Sequence, residues 1–153
     1  NVIAALIANK SIKKTDIDAV TEPVLDAVVF QMTDLLGQRE YGLALLKLQQ
    51  LLKMQQEPLA ILGAVGAHYR RLGTARTLLD HGKNASDMAK LCGIPDYPAR
   101  KSMEAARRVR PEFCARAAEL ILETDYAMKT SVDDNERLLE MLILQLAQEG
   151  RNG

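Results

Sequence analysis

The sequence predicts an all-α protein, a compact bundle of about seven helices, and three observations support this. Of the 153 residues, 48% are hydrophobic, only 4% are aromatic and none is tryptophan. Leucine and alanine dominate, which favours helix-on-helix packing over a β-sheet. Apolar residues recur at intervals of three and four, the spacing of one helix face. A chain of this length can build one sizeable core but not two large domains.

The N-terminal segment predicts a boundary at residue 23. "NVIAALIANK" has the pattern of the last turns of a helix, and the chain starts at Asn1 rather than methionine, so we expect a piece of a longer protein. Thr15 is the predicted N-cap of a very short helix, with Asp18 in its first turn. Glu22-Pro23 should interrupt that helix, because the residue before a proline is steered out of the α region.

Turn and capping residues divide the remainder into seven predicted helices. Their markers, in chain order, are Pro23 to Gly37, Leu43 to Leu52, Pro58 to His81-Gly82, Asn84 to Gly93, a start at Asp96 or Tyr97-Pro98, a start at Pro111, and a start at Asp133 or Asp134. Within the third helix, Gly63 and Gly66 lie on or near one face. Their lack of a side chain predicts a close approach by another helix.

Charge and cysteine content narrow the possible functions. Twenty basic and twenty acidic residues cancel, so the whole chain lacks the positive surplus that binds phosphate backbones, and DNA contact would require a local patch. Cys92 and Cys114 are expected to be small buried residues in a reducing cytoplasm. The sequence contains no run of about 18 uncharged apolar residues, which is the length that a membrane-spanning helix needs.

No motif predicts a catalytic, cofactor or metal site. His68 and His81 have no carboxylate or cysteine at ligand spacing and are expected at the surface or in caps. A nucleophile-base pair of Cys92 and His81 has no supporting motif. "DHGKNAS" lacks the frame of a phosphate-binding loop, and "VDDNER" lacks the spacing of a calcium loop and predicts a helix cap.

Residues 87–108, "DMAKLCGIPDYPARKSMEAARR", resemble a helix-turn-helix. Ala89 is the required small residue and Gly93 the turn glycine, and apolar anchors are available at Met88, Leu91, Ile94 and Met103. The second helix carries Arg100, Lys101, Arg107 and Arg108. Two prolines near the turn, and the lack of asparagine and glutamine after it, argue against base reading. The six basic residues of 100–116 could instead contact phosphates without specificity, or form a solvated face.

Several segments in order resemble the C-terminal part of the bacterial DNA polymerase III delta subunit. They are "VFQMTDLLGQREYGLALLKLQQLL", "EPL" at 57–59 opening a helix that reaches "YRRL" at 69–72, and "LETDYAMKT" before an acidic residue and a leucine-rich last helix. None is a catalytic signature, so the resemblance rests on their order and spacing over nearly the whole chain.

The resemblance implies a non-catalytic part of the clamp loader, the assembly that places a sliding clamp on primed DNA. Residues 1–22 would be the end of an AAA+-type lid domain, and residues 23–153 the helical collar domain. Its implied partners are the tau (or gamma) and delta-prime subunits. The clamp-binding element would lie in a missing N-terminal domain, no cofactor is implied, and DNA contact would be indirect or weak.

The alternative is a DNA-binding regulator that uses residues 87–108.

For the collar, candidate partner-facing residues lie on the helix from Pro58 and on the last helix, which has more apolar surface than one stripe requires. On the last helix they are Leu138, Leu139, Leu142, Ile143 and Leu146. The same residues could equally be internal core.

Overall fold

A computed structural model of the chain describes residues 14–152, with side chains for residues 24–151. This part consists of seven α-helices joined by short turns, without strands. In chain order they are α1 (Lys14–Gly37), α2 (Tyr41–Lys53), α3 (Pro58–Asp80), α4 (Ala85–Cys92), α5 (Asp96–Ala106), α6 (Pro111–Thr130) and α7 (Asn135–Asn152). The predicted all-α bundle is confirmed. The segment "NVIAALIANK" lies outside the described residues.

Helix α1 runs through Pro23, so the predicted interruption there is wrong. One helix includes both Thr15, expected as an N-cap, and Glu22-Pro23. Proline in a helix removes one backbone hydrogen bond and crowds the preceding turn. That cost is local, and the residues that follow, including Leu25 and Val28, are anchored in the core. The domain boundary at residue 23 remains a prediction.

Helix α3 lies at the centre of the bundle. It packs against α1, α5, α6 and α7, and α7 in turn packs against α2 and α6. The side chains of α3 that fill the core are Ile61, Leu62, Val65, Tyr69, Leu72 and Ala75. An apolar stripe this long explains why α3 stays helical despite three internal glycines.

Gly66 confirms the predicted close approach of helices, whereas Gly63 does not. A Cβ atom built at Gly66 would lie 3.6 Å from Cγ2 of Ile121 on α6 and 3.2 Å from Nη1 of Arg70. A Cβ atom at Gly63 would meet nothing within 4 Å. Of these two glycines, only Gly66 therefore has a packing role.

Several predicted caps are present. The side chain of Asn84 accepts a hydrogen bond from the Asp87 N–H at 3.0 Å, and the Asp87 carboxylate accepts one from the Asn84 N–H at 2.9 Å. Asp134 accepts from the N–H of Glu136 at 3.1 Å at the start of α7, as the cap interpretation of "VDDNER" requires. These bonds satisfy backbone donors that a helix N-terminus leaves unpaired.

Arg76 joins α3 to the end of α5. Its Nη1 donates to the carbonyl oxygens of Ala106 at 2.9 Å and Val109 at 3.3 Å, while Nη2 pairs with Asp80 at 2.5 Å. The guanidinium thus supplies donors to carbonyls that the end of α5 leaves without helical partners.

Candidate assembly surface

Helix α6 exposes two large apolar side chains on the side away from the core. Leu120, Thr124 and Met128 form its buried stripe. Leu122 and Tyr126 follow the same four-residue spacing outside that stripe, and each is 70% exposed. Contiguous apolar surface of this kind on a helix is typical of a protein-binding site.

Helix α7 also carries apolar residues beyond its buried face. Met141 is 46% exposed and Leu144 is 51% exposed. Because α6 and α7 pack against each other through a short connection, the exposed residues of both helices belong to one helical hairpin.

The candidate partner-facing residues on α7 are core, which is the second of the two possibilities that the sequence left open. Leu139, Leu142, Ile143 and Leu146 are all at most 1% exposed, and Leu138 is partly buried. They pack against the other helices of the bundle, because α7 lies between α2 and α6 and needs a wide apolar face. On α3, Leu59 is the one large apolar side chain that is exposed in the described part. Leu122 and Tyr126 were missed, although their four-residue spacing could have indicated them.

Arg116 ties the two helices of this hairpin together. Its guanidinium lies 3.0 Å from Glu119 and 3.7 Å from Glu123 on α6, and 3.4 Å from Glu149 on α7. The hydrogen bond to Glu119, followed by those other carboxylates, raises the pKa of Arg116 above its ordinary value. The network is exposed, so its role is to orient the hairpin more than to stabilise it.

Residues 87–108 form the two helices and turn expected of a helix-turn-helix. Gly93 has φ 64°, the left-handed conformation that ends α4. Met88 and Met103 are buried as predicted, but Leu91 is 68% exposed and is not an anchor. Ala99, Ser102 and Met103 bury one face of α5 against the bundle, so the segment is a packing unit.

The basic residues of 100–116 do not form one uniform patch. Arg116 is engaged by carboxylates, and the charges of Arg100 and Lys101 lie 6.0 Å and 5.7 Å from the ring centre of Tyr97. Lys101, Arg108 and Arg110 line a cleft instead, so the six basic residues do not present one continuous groove-reading face.

The cysteines and histidines show no catalytic arrangement. Cys92 is exposed, contrary to expectation, because it occupies the outer face at the end of α4, and Cys114 is half-buried. Burial raises the pKa of the Cys114 thiol, and the Arg76 charge opposes that rise only in part. His81 caps α3 as predicted, while His68 lies among aromatic rings rather than at the surface. In the described residues, no three metal-ligating side chains cluster.

Comparison with known proteins gives the family. The model of the DNA polymerase III delta subunit, C-terminal domain, matches residues 26–146. The chain belongs to this delta subunit family. The DNA polymerase III subunit delta of Bacillus subtilis (strain 168) is 24% identical over 131 residues, which cover 86% of this chain and 38% of that protein.

A solved structure of a family member has the same fold. The Bacillus subtilis DNA clamp loader delta protein aligns with a TM-score of 0.77 and 24% identity, over 81% of this chain and 37% of that one. The chain thus spans well under half the length of the delta subunits it matches. The helix-turn-helix regulator is not supported by these matches. Between residues 14 and 152, none of the helices combines the length and apolarity needed to cross a membrane.

Proposed function

We propose that this chain is the non-catalytic assembly region of a clamp-loader delta subunit. Its membership of the delta family supports the clamp loader as its setting. The observation that carries the assembly role is the exposed apolar pair Leu122 and Tyr126 on α6, on the side opposite the core. Such side chains become buried when a second protein covers them.

The proposed partners are the tau (or gamma) and delta-prime subunits. Residues 23–153 would form the collar domain that they contact, and residues 1–22 the end of the lid domain. The sliding clamp would be contacted through a region outside this chain, and DNA only indirectly or weakly. The protein would act in the cytoplasm as a structural part of DNA polymerase III, a nucleotidyltransferase whose chemistry lies in other subunits.

In the proposed mechanism, the bundle acts by holding the attached domains in position. A bundle with one continuous core resists deformation, because closely packed interiors have low compressibility. Apolar helix faces buried between neighbouring subunits would hold the attached domains in a fixed order around a ring. The Arg116 network supports this by fixing α6 relative to α7.

Size-exclusion co-elution with the tau (or gamma) and delta-prime subunits of the same organism tests the proposal. The chain should elute with them in one larger complex. The double variant Leu122→Glu/Leu144→Glu should elute alone while keeping the helical signal and melting temperature of the parent. Both replaced side chains are exposed, so the folded monomer tolerates the charge.

The control is Leu91→Glu, which places one such charge at a similarly exposed leucine on α4. It should co-elute like the parent. Complex formation by the double variant would exclude the α6–α7 hairpin as the contact. A parent chain that does not co-elute at all would contradict the assembly role itself.

A further inference from the structure

A cleft of about 230 Å³ lies on the bundle apart from the α6 pair. The end of α1, the middle of α3, the end of α5, the start of α6 and the last turns of α7 surround it. The cleft shares no residue with the exposed apolar set Leu122, Tyr126, Met141 and Leu144. Its use is therefore independent of the assembly proposal.

The floor of the cleft is aromatic and uncharged. The ring centre of His68 lies 5.6 Å from that of Phe30 and 5.1 Å from that of Tyr69, both edge to face, and Tyr69 lies 6.1 Å from Phe113. Burial, with a smaller effect from the Arg71 charge, lowers the pKa of His68 to about 4. The ring is therefore neutral at physiological pH, and the floor accepts an apolar group.

The rim of the cleft is basic. Arg39, Lys101 and Arg108 line it, and none of the three forms an ion pair with a carboxylate among the residues with described side chains. Arg110 lines it as well. In a chain with no net charge, Arg39, Lys101 and Arg108 alone outnumber the two carboxylates that line the cleft, and this local positive excess attracts anionic groups.

Arg39, on the rim, has a backbone conformation that favours glycine. Its φ is 64°, and its N–H donates to the Leu36 carbonyl at 3.1 Å in the turn after α1. A side chain in this region costs about 1 kcal/mol relative to glycine. The cation therefore stands at a position where glycine would be the more stable residue.

The rim also carries two carboxylates, Asp34 and Glu104. These oxygens can accept hydrogen bonds from the backbone N–H groups of a peptide, whereas the phosphates of a nucleic acid offer them no donor. A nucleic acid strand would also need an aromatic face on which to stack its bases. The rings of the floor contact one another edge to face instead. The mixed rim and small apolar floor therefore suit a peptide.

We propose that this cleft binds an acidic peptide segment of another protein, which inserts one aromatic or large aliphatic side chain onto the floor. The flanking carboxylates of that segment pair with Arg39, Lys101 and Arg108. The small volume limits the insertion to a single side chain. Affinity depends on both parts, the apolar insertion and the surrounding charges.

Fluorescence anisotropy with a short fluorescein-labelled peptide tests the proposal. The probe alternates aspartate and glutamate around one central phenylalanine, and a second probe has serine in place of the phenylalanine. The chain should bind the first probe saturably and the second much more weakly. Equal binding of the two probes, or binding of neither, would overturn the proposal.

Substitutions of rim residues test whether the peptide binds at the cleft. Arg39→Gly should lower the affinity for the phenylalanine probe about threefold to fivefold. Arg39→Gly/Arg108→Gln should lower it about tenfold. Because glycine suits the backbone at position 39, loss of folding does not obscure the result. The matched control is Gln55→Gly, since Gln55 has φ 61° in a turn that does not line the cleft. It should leave the affinity unchanged.

Two outcomes would overturn the assignment even with binding observed. One is an unchanged affinity in Arg39→Gly/Arg108→Gln. The other is a labelled single-stranded thymidine oligonucleotide that binds more tightly than the peptide and loses affinity in the same variants, which would assign the cleft to nucleic acid.

Discussion

His68 lies between the rings of Phe30 and Tyr69, although the sequence suggested a surface or cap position. The three rings come from α1 and α3, and Phe113 joins them from α6. A prediction based on sequence spacing treats each helix separately, so it does not detect a cluster assembled from three of them. By contrast, the caps at Asn84 and Asp134 were predictable, because each depends on residues within three positions of it.

The lowered pKa of His68 predicts a specific dependence of stability on pH. Between pH 6.5 and about 4, the unfolded chain binds a proton at this histidine and the folded chain does not. Its contribution is fully present above pH 6.5 and is lost as the pH falls toward 4. The shift corresponds to about 3 kcal/mol of unfolding free energy.

Urea unfolding of the parent and of His68→Gln across this pH range measures the effect. The variant should lose less stability between pH 6.5 and 4, because its side chain cannot be protonated. Parallel curves for the parent and His68→Gln would show that His68 is protonated as readily in the folded chain as in the unfolded chain.

At the scale of whole elements, replacing two of the three glycines of α3, Gly63 and Gly66, distinguishes the effect of packing from that of helix propensity. Gly66→Leu should lower the unfolding free energy by about 1–3 kcal/mol, because Ile121 occupies the space beyond the new Cβ atom. Gly63→Leu should raise it by up to about 1 kcal/mol, because the site is open and leucine favours helix.

Chemical denaturation of both variants compares the same replacement one turn apart. Equal effects at positions 63 and 66 would contradict the close approach of α6 to α3 at Gly66. The sequence placed both glycines near one face, but it could not reveal which of them meets a neighbouring helix.

The extent of α1 shows the same difference between local and tertiary signals. The end of the helix at Gly37 was predictable from the residue itself. The continuation of α1 through Pro23 was not predictable. The rule that proline interrupts a helix considers only neighbouring residues, whereas Leu25 and Val28, farther along the helix, are anchored in the core.

At the scale of the molecule, the domain boundary predicted at residue 23 can be tested with shortened chains. The described core residues of α1 start at Leu25 and continue through Val28, Val29, Met32 and Leu36. Because the resemblance implies that residues 1–22 belong to a separate domain, a fragment of residues 23–153 should melt within a few degrees of the parent. A fragment that starts at Phe30 should melt about 10 °C lower or more, because it lacks three buried side chains.

Thermal unfolding followed by circular dichroism distinguishes the fragments. A large fall in melting temperature already in residues 23–153 would show that earlier residues contribute to the core and would contradict a boundary at residue 23.

The family and fold were predictable from the order of segments along the chain. That Leu142 rather than Leu144 faces the bundle was not, since α7 carries apolar residues on both sides and the sequence does not show which side the other helices cover.

The bonds from Arg76 to the carbonyls of Ala106 and Val109 also bear on how the molecule opens. Helix α5 has only 11 residues and is too short to persist alone in water. Fastened at its end to the central helix, it becomes part of the same cooperative unit as α3. Its amide protons should then exchange with solvent only when α3 itself opens, and proteases should find the α5–α6 connection protected for as long as α3 is folded.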